Sequence, residues 1–568
     1  VQTASGVRAI RSAFSSGDAV RRAGVFVGVA ALIPLTLLAA LFEGEALWFL
    51  LVLLPMLAVG LWDLAQDRHT LRRNYPILAW GRWFFEDLRP YLRSYIVESD
   101  HEGRPFSHQQ RGLVYARAKG QEDAHPMGTE LDMDAAGYRW ITHSIQPAAV
   151  AEGDPRVSIG GPQCKRPYNA SILNISAMSF GSLGERAIGA LNLGARLGGF
   201  YHDTGEGSIS PHHRRHGGDL VWELGSGYFG CRTPEGRFDP ERFAAQAGDD
   251  QVKMIEIKLS QGAKPGHGGM LPAAKITAEI AATRGIPMGE DCISPAGHSA
   301  FSSPREMLAF VARLRELSGG KPIGIKLCIG HPHEIFAIVK AMLETGILLD
   351  FIVVDGAEGG TGAAPIELTN HVGTPLREGL VLVRNALVGT GLKEHVRIGA
   401  AGKVFSASSI AMNSALGADW SNAARAFMFA LGCVQSMRCH VGTCPTGVAT
   451  QDPGRQRGLV VDDKAQRVAR FHARTVHALK EMTAAAGLDH PGSFEPHHLY
   501  TRLAPGETRT IDRIYPFLAR EALLHAPDET PYADYWRAAD PGDWKPSGDL
   551  GREHRRGFEE AAEKGTKI

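Results

Sequence analysis

Apolar residues in this chain gather in two ways: as two long unbroken runs near the N-terminus, and later as short blocks alternating with amphipathic stretches. The first run covers 23–42, an acidic break comes at Glu43 and Glu45, and the second run covers 46–62. At about 20 and about 17 residues, both approach the length that spans a hydrocarbon layer. Pro34 and Pro55 are tolerated in such helices. Arg8, Arg11, Arg21 and Arg22 precede the pair, Arg68, Arg72 and Arg73 come after it, and the turn carries only acids. By the positive-inside rule, residues 1–69 are expected to hold a two-pass hairpin in the cell membrane, in contact with membrane lipid, with both ends cytoplasmic. A buried helical hairpin of a soluble protein is the alternative. Residues 70–156 are rich in Arg and aromatic residues and read as a connector, lying at the lipid interface or packing against the body of the protein.

From about residue 157 the pattern changes. Strand-like runs at 171–176, 252–259, 321–329, 351–355 and 396–399 alternate with Gly-rich loops and helix-compatible segments, among them 183–197 and 272–284. Such alternation predicts a parallel sheet with helices outside it. Over 157–486 it fits an α/β fold, a (β/α)8 TIM barrel, whose active site lies at the C-terminal ends of the strands. An open doubly wound sheet is the alternative. It is weakened because no Gly-x-Gly-x-x-Gly with a following acidic residue appears after the first strand. The stretch 487–568 is Pro-rich and charged and reads as a wrapping C-terminal extension.

Composition narrows the chemistry. Lys+Arg and Asp+Glu are both 61, and this balance argues against nucleic acid as a partner. Of the seven cysteines, Cys164, Cys231, Cys292 and Cys328 are scattered singly and are expected to be small buried hydrophobes. That is not a secreted disulfide framework, so a reducing compartment is expected. The other three, Cys433, Cys439 and Cys444, form C-x5-C-x4-C-P with Pro445. Soft thiolates suit zinc or iron–sulfur clusters. Zinc would want closer spacing and a fourth ligand, which His440 could supply. Three thiolates suit a [3Fe–4S] cluster, with one ligand per iron.

With Gly432 before the first Cys and Thr446-Gly-Val-Ala-Thr-Gln451 after Pro445, this motif resembles the FMN-binding domain of glutamate synthases. The resemblance runs from about residue 174 to 451, with the motifs in the family's order. It implies FMN held by loops at the strand ends: Ala177, Met178 and Ser179 after the first strand; Lys326; Gly360, Thr361 and Gly362 after the sixth; Gly399, Gly402 and Lys403 at the seventh; Ala424 and Arg425 after the eighth. Arg425 stands where the family often has a Gly-rich turn, so its charge is expected to replace free backbone around the phosphate.

The runs Thr204-Gly-Glu206-Gly and Lys258-Leu-Ser-Gln-Gly-Ala-Lys264-Pro-Gly also resemble family motifs, and Arg284 falls at the family's Arg. The resemblance makes Glu206, Lys258, Lys264 and Arg284 the catalytic set. The cations would hold the carboxylates of 2-oxoglutarate and its imine, a task for which fixed cations are suited. His267 and Met270 replace the family's usual Glu and Gln, which puts 2-oxoglutarate itself in question and admits a related keto acid.

The family's glutaminase nucleophile has no counterpart at Val1, so ammonia or an amine is expected from solution or a partner. Electrons would come from ferredoxin or a reductase subunit through the cluster, and the catalytic domain would be cytoplasmic. A membrane electron-transfer subunit without turnover of its own, or a flavin dehydrogenase for another amino or hydroxy acid, are the rival expectations.

Overall fold

The computed structural model describes residues 17–66 and 68–548. Val1, Arg8 and Arg11, which entered the sequence-based expectations, lie outside the described residues. The chain divides into two compact units at Gly103/Arg104, inside the stretch read as a connector.

The N-terminal unit contains helix α1 (Gly24–Ala40), then a 3-10 turn (Gly44–Phe49) continuous with α2 (Leu50–Ala65). Gly44–Ala65 is long and apolar enough to cross a membrane, with mean hydropathy 2.1, whereas α1 has 17 residues. Leu35, Leu38, Leu51 and Trp62 are exposed along the two helices. A Cβ at Gly60 would overlap the Phe26 ring, so the missing side chain lets the helices approach closely. At the end of α2 the buried Asp63 accepts from Ile77 N and, at 3.0 Å, from Trp80 Nε1.

The second unit begins with helix α3 (His108–Lys119). It starts on a capping box, in which Ser107 Oγ accepts from Gln110 N and Gln110 Oε1 accepts from Ser107 N. Its core is a closed barrel of eight parallel strands: β1 (Leu173–Ile175), β2 (His202–Asp203), β3 (Leu220–Leu224), β4 (Val252–Lys258), β5 (Ile323–Leu327), β6 (Phe351–Asp355), β7 (Arg397–Ala401) and β8 (Trp420–Ala423). β8 closes on β1 with Ser421 opposite Leu173 and Ala423 opposite Ile175. Closure rules out the open-sheet alternative. The strands are buried on both faces, as a parallel sheet covered by helices requires.

Sequence and structure differ in detail. The run 171–176 is split: Tyr168–Ser171 belongs to an antiparallel hairpin with Arg156–Ile159, and only Leu173–Ile175 enters the barrel. The helix expected over 272–284 is shorter. Met270–Leu271 pairs with Cys292–Ile293, Ala273–Lys275 is a 3-10 turn, and helix α4 is Ala278–Arg284. Thr277 Oγ1 accepts from Ile280 N and so sets the later start.

After β8 come helix α5 (Arg425–Leu431), the cysteine loop, and the 25-residue helix α6 (Val461–Ala485), which packs on the barrel. Leu499–Ala504 pairs with both Glu507–Thr510 and Arg139–Ile141, so the connector and the C-terminal extension share a sheet. Further on, Tyr532 and Trp536 pack on Phe336 of an outer helix.

Candidate active site

Charged side chains inside a parallel barrel must be paired or employed, because burial without a partner is costly. At the C-terminal mouth they fall into three groups.

The first surrounds Glu206, in the loop after β2. Lys258 at the end of β4 places Nζ 3.0 Å from Glu206 Oε1. Burial alone would raise this carboxyl, but Lys258, Arg284 and Lys264 together outweigh it and hold Glu206 below the usual carboxylate range. Lys264 is buried in the loop after β4, and burial pulls its ammonium down, with Glu206 opposing. Arg284, at the end of α4, donates from Nη2 to Phe180 O at 3.1 Å and to Ser179 Oγ at 3.3 Å. Its Nε is buried without a hydrogen-bond partner among the described residues. Backbone crowds this acid closely: a Cβ at Gly269 would overlap its Oε1, and one at Gly225 would lie 2.8 Å from its Oε2. His298 supports the group from behind, one ring nitrogen 2.8 Å from Lys258 O and the other 3.1 Å from the Tyr228 hydroxyl. His267 and Met270 are both exposed in the loop.

The second group lies inside the barrel. Carboxylate oxygens of Asp203, Glu223 and Glu256, all buried, lie within 4.8 Å of one another. Lys326 of β5 is ion-paired to Glu223 and, at 3.2 Å, to Glu256, filling the place a metal ion would take. Burial, then repulsion from Asp203, raises Glu256 well above the usual carboxylate range, and burial raises Asp203 as well. Asp355 at the end of β6 accepts from Gly262 N at 3.0 Å.

The third group occupies the loops after β6, β7 and β8. Arg425 Nη2 donates to Glu358 O at 2.7 Å, and its guanidinium carbon lies 4.9 Å from the centre of the Phe106 ring. Burial brings its pKa down to about 10. A Cβ at Gly360 would lie 2.9 Å from Arg425 Nε, so glycine there leaves the guanidinium its space. Burial, then Arg425, lowers Lys403, whose backbone is left-handed at φ 50°, and Arg104 adds further like charge. Cations converging on a barrel corner built by the last loops fit a phosphate.

The expected cofactor residues divide accordingly. Ala177, Met178 and Ser179 lie in the loop after β1, where Ser179 Oγ accepts from Arg284 Nη2 and a Cβ at Gly205 would lie 2.7 Å from Ser179 N. Gly360 and Lys403 lie by Arg425, a Cβ at Gly402 would lie 3.6 Å from Glu358, and Thr361, Gly362 and Ala424 are their neighbours along the chain. Gly399 does not belong with them. A Cβ there would sit 2.6 Å from the Trp420 ring and 3.0 Å from Val353, so this glycine makes room for an indole in the core. The interior acids Asp203, Glu223, Glu256 and Asp355 were missed; for Glu223 and Glu256 a charge within an apolar strand run was the available signal.

The cysteine loop comes directly after α5. Cys433 and Cys439 are half-buried and Cys444 is buried. Burial works against ionising Cys444, but the backbone N–H groups of Ala449, Thr446 and Val448 with the Thr446 hydroxyl outweigh it and lower the thiol. Lys275 Nζ donates to Cys439 O at 3.2 Å, bringing a positive charge to the loop. Burial raises the Cys433 and Cys439 thiols; three thiols on one loop, with the Lys275 ammonium beside it, are a donor set that suits an anionic iron–sulfur cluster.

A closed parallel barrel with this charged mouth, followed by a three-cysteine loop, defines a (β/α)8 protein with a polar site at the C-terminal ends of its strands. More particularly, the chain belongs to the glutamate synthase family: the conserved region in glutamate synthase matches residues 160–489. The glutamate synthase large subunit-like protein YerD of Bacillus subtilis (strain 168) is 36% identical, over 80% of this chain and 93% of that protein. An archaeal-type glutamate synthase [NADPH] of Thermotoga neapolitana is 34% identical over 55% of this chain, and the match spans 59% of that relative. A solved mandelate oxidase is 15% identical with a TM-score of 0.37, covering 66% of this chain and 87% of its own, a likeness too slight to bear on the chemistry.

Proposed function

We propose that the protein is a glutamate synthase-like oxidoreductase that uses FMN and a [3Fe–4S] cluster to reduce the imine of a 2-oxo acid with ammonia or an amine. By analogy with the relatives the acid is 2-oxoglutarate. The observation that carries this reading is the ring of Lys258, Lys264 and Arg284 around the single carboxylate of Glu206. Even with Glu223, whose Oε1 lies 4.0 Å from Lys258 Nζ, the three cations outnumber the two carboxylates, an excess that a substrate carboxylate would neutralise. Lys264 and Arg284 Nε supply buried donors, and charge-assisted hydrogen bonds from such donors are the strong ones. Glu206, kept ionised, accepts from an imine or amine N–H and orients it toward the Ala177–Ser179 loop. Tyr228 and His298 fix the Lys258 backbone so that its ammonium stays on Glu206.

FMN, when bound, would supply hydride, and the cluster would supply single electrons from ferredoxin or a reductase subunit. Arg425, Lys403 and the Gly360–Gly362 loop would hold the phosphate, Lys326 would face the ring system, and Cys433, Cys439 and Cys444 would bind the cluster. Helices α1 and α2 would anchor the chain in the cell membrane as a two-pass hairpin. The exposed leucines, the acidic turn at Glu43 and Glu45, and Arg21, Arg22, Arg68, Arg72 and Arg73 outside it support a cytoplasmic catalytic unit.

The test is to purify the full chain in detergent without oxygen, record visible and EPR spectra, and add 2-oxoglutarate. A flavin spectrum with an oxidised three-iron signal, and a flavin shift on adding the acid, is the expected result. A colourless protein that takes up neither FMN nor iron overturns the reading.

A further inference from the structure

Phe106 is a buried aromatic residue just beyond the division between the two units, and its surroundings are unusual for a core phenylalanine. Its backbone is bracketed by one side chain: Phe106 N donates to Gln435 Oε1 at 3.2 Å, and Gln435 Nε2 donates to Phe106 O at 3.0 Å. Arg111 Nη1 also donates to Phe106 O, at 2.7 Å. Gln435 lies in the cysteine loop, two residues after Cys433, with φ at 54°, a left-handed conformation that a non-glycine residue adopts only when its surroundings hold it there. Further along α3, the Tyr115 hydroxyl donates to Cys433 O at 2.6 Å. The loop is therefore gripped at a cysteine carbonyl and at its strained turn, both times from the segment 104–115.

The other side of Phe106 faces the anion corner. Its ring lies against the Arg425 guanidinium, with the arginine's far end fixed on Glu358 O. Phe429 of α5 meets it edge-on at 5.2 Å and Phe405 at 6.0 Å, which set the plane of the ring. Arg104, two residues earlier, acts electrostatically on Lys403 in the same corner. A residue serving only to fill the core would need neither the double bracket on a strained turn nor the cation against its ring.

We propose that residues 104–115 form a positioning strap, with Phe106 as its pivot, that holds the phosphate-binding Arg425 and the Cys433–Gln435 turn in one shared arrangement. The proposal rests on the reading of this corner as the FMN phosphate site and of the loop as the cluster site. It adds that the two sites are set by one segment outside the barrel, and that Phe106, Tyr115 and Gln435 are positioning residues.

The test compares FMN with riboflavin, which lacks the phosphate, by fluorescence titration of the flavin-stripped full-length protein. In parallel it follows the EPR signal and air half-life of the cluster. Arg425→Met is expected to weaken FMN about tenfold or more while leaving riboflavin within about twofold, since a charged hydrogen bond to phosphate is lost. Tyr115→Phe is expected to alter the cluster signal or shorten its half-life and leave both flavins alone. Phe106→Leu is expected to do both. If it does not accumulate folded, Gln435→Met, which removes both brackets at similar volume, carries the same expectation for the cluster and for FMN. The strap is overturned if Phe106→Leu and Gln435→Met lower only the melting temperature, or weaken riboflavin as much as FMN. Wild-type protein that binds neither flavin overturns the cofactor reading beneath it, a result distinct from either of these.

Discussion

Lys258 Nζ lies 3.0 Å from Glu206 Oε1, so the end of β4 and the loop after β2 meet as an ion pair at the barrel mouth. The pair does not neutralise the site, because Lys264 and Arg284 also act on Glu206. Lys264→Met is therefore expected to raise the KM for the 2-oxo acid by about 10- to 100-fold, the loss of one charge-assisted contact of about 1.5–3 kcal/mol. The flavin spectrum would be unchanged. Steady-state kinetics with 2-oxoglutarate check this, and an unaltered KM would remove Lys264 from the substrate site.

The buried acids respond unequally to neutral replacement. Burial and Asp203 both work against ionising Glu256, so Glu256→Gln is expected to cost less stability than the same change at Glu223. Glu223→Gln takes from Lys326 the nearer of its two carboxylate partners and is expected to cost up to about 3–5 kcal/mol, as breaking a buried pair does. Denaturant unfolding of the two variants side by side decides it. Equal losses would show that the acids carry equal charge.

Gly399→Ala tests the placement of that glycine in the core. A methyl pressed against Trp420 is expected to destabilise by about 1–3 kcal/mol, while folded protein keeps its affinity for FMN. Lost affinity at unchanged stability would return Gly399 to the cofactor site.

Acid should weaken the fold through two histidines. His472 of α6 stacks on Phe200 at 4.0 Å and lies with Nε2 3.1 Å from Leu173 O, while His202 of β2 is buried with neither ring nitrogen hydrogen-bonded to a described residue. Burial brings both down to about 3. Their folded pKa values lie below the unfolded value near 6.5, so the unfolded chain takes up protons that the native protein refuses. The stabilisation is fully present above about pH 6.5 and is lost toward pH 3, at up to about 1.4 kcal/mol per pH unit for each histidine. Melting temperature measured from pH 8 to pH 4 should fall below pH 6.5, and His472→Gln should make the fall shallower.

Each of Cys433→Ser, Cys439→Ser and Cys444→Ser is expected to abolish the three-iron EPR signal while FMN absorbance persists, and Cys292→Ser to leave both. A cluster surviving any of the first three would remove that thiol from the ligand set.

Legibility in the sequence tracks how the chain buries charge. The strands β4, β5 and β6 stood out because a parallel strand covered on both faces is a run of apolar residues, and the cysteine motif because its spacing is dense. β2 escaped notice, since two residues, His202 and Asp203, make no pattern. Glu223, Glu256 and Lys326 each break an apolar run singly, and only the closed barrel shows them to be one cluster. Arg284 had a motif position to mark it, yet its grip on Ser179 and Phe180 depends on where Thr277 starts its helix. The role of Phe106 had no local signal. Its partners Arg425 and Gln435 come from more than three hundred residues away, and only folding brings them together.

The fit of Gly269 against Glu206 also reaches beyond this chain. A methyl at 269 would overlap the carboxylate as it stands, so a side chain there would have to push the Glu206 carboxylate out of its present place. A lineage that exchanged the glycine would first have to shorten or redirect the acid, and would thereby change what its barrel mouth can bind. Across descent the two should be inherited together, and a relative carrying a side chain at one position should prove to have given up the acid at the other.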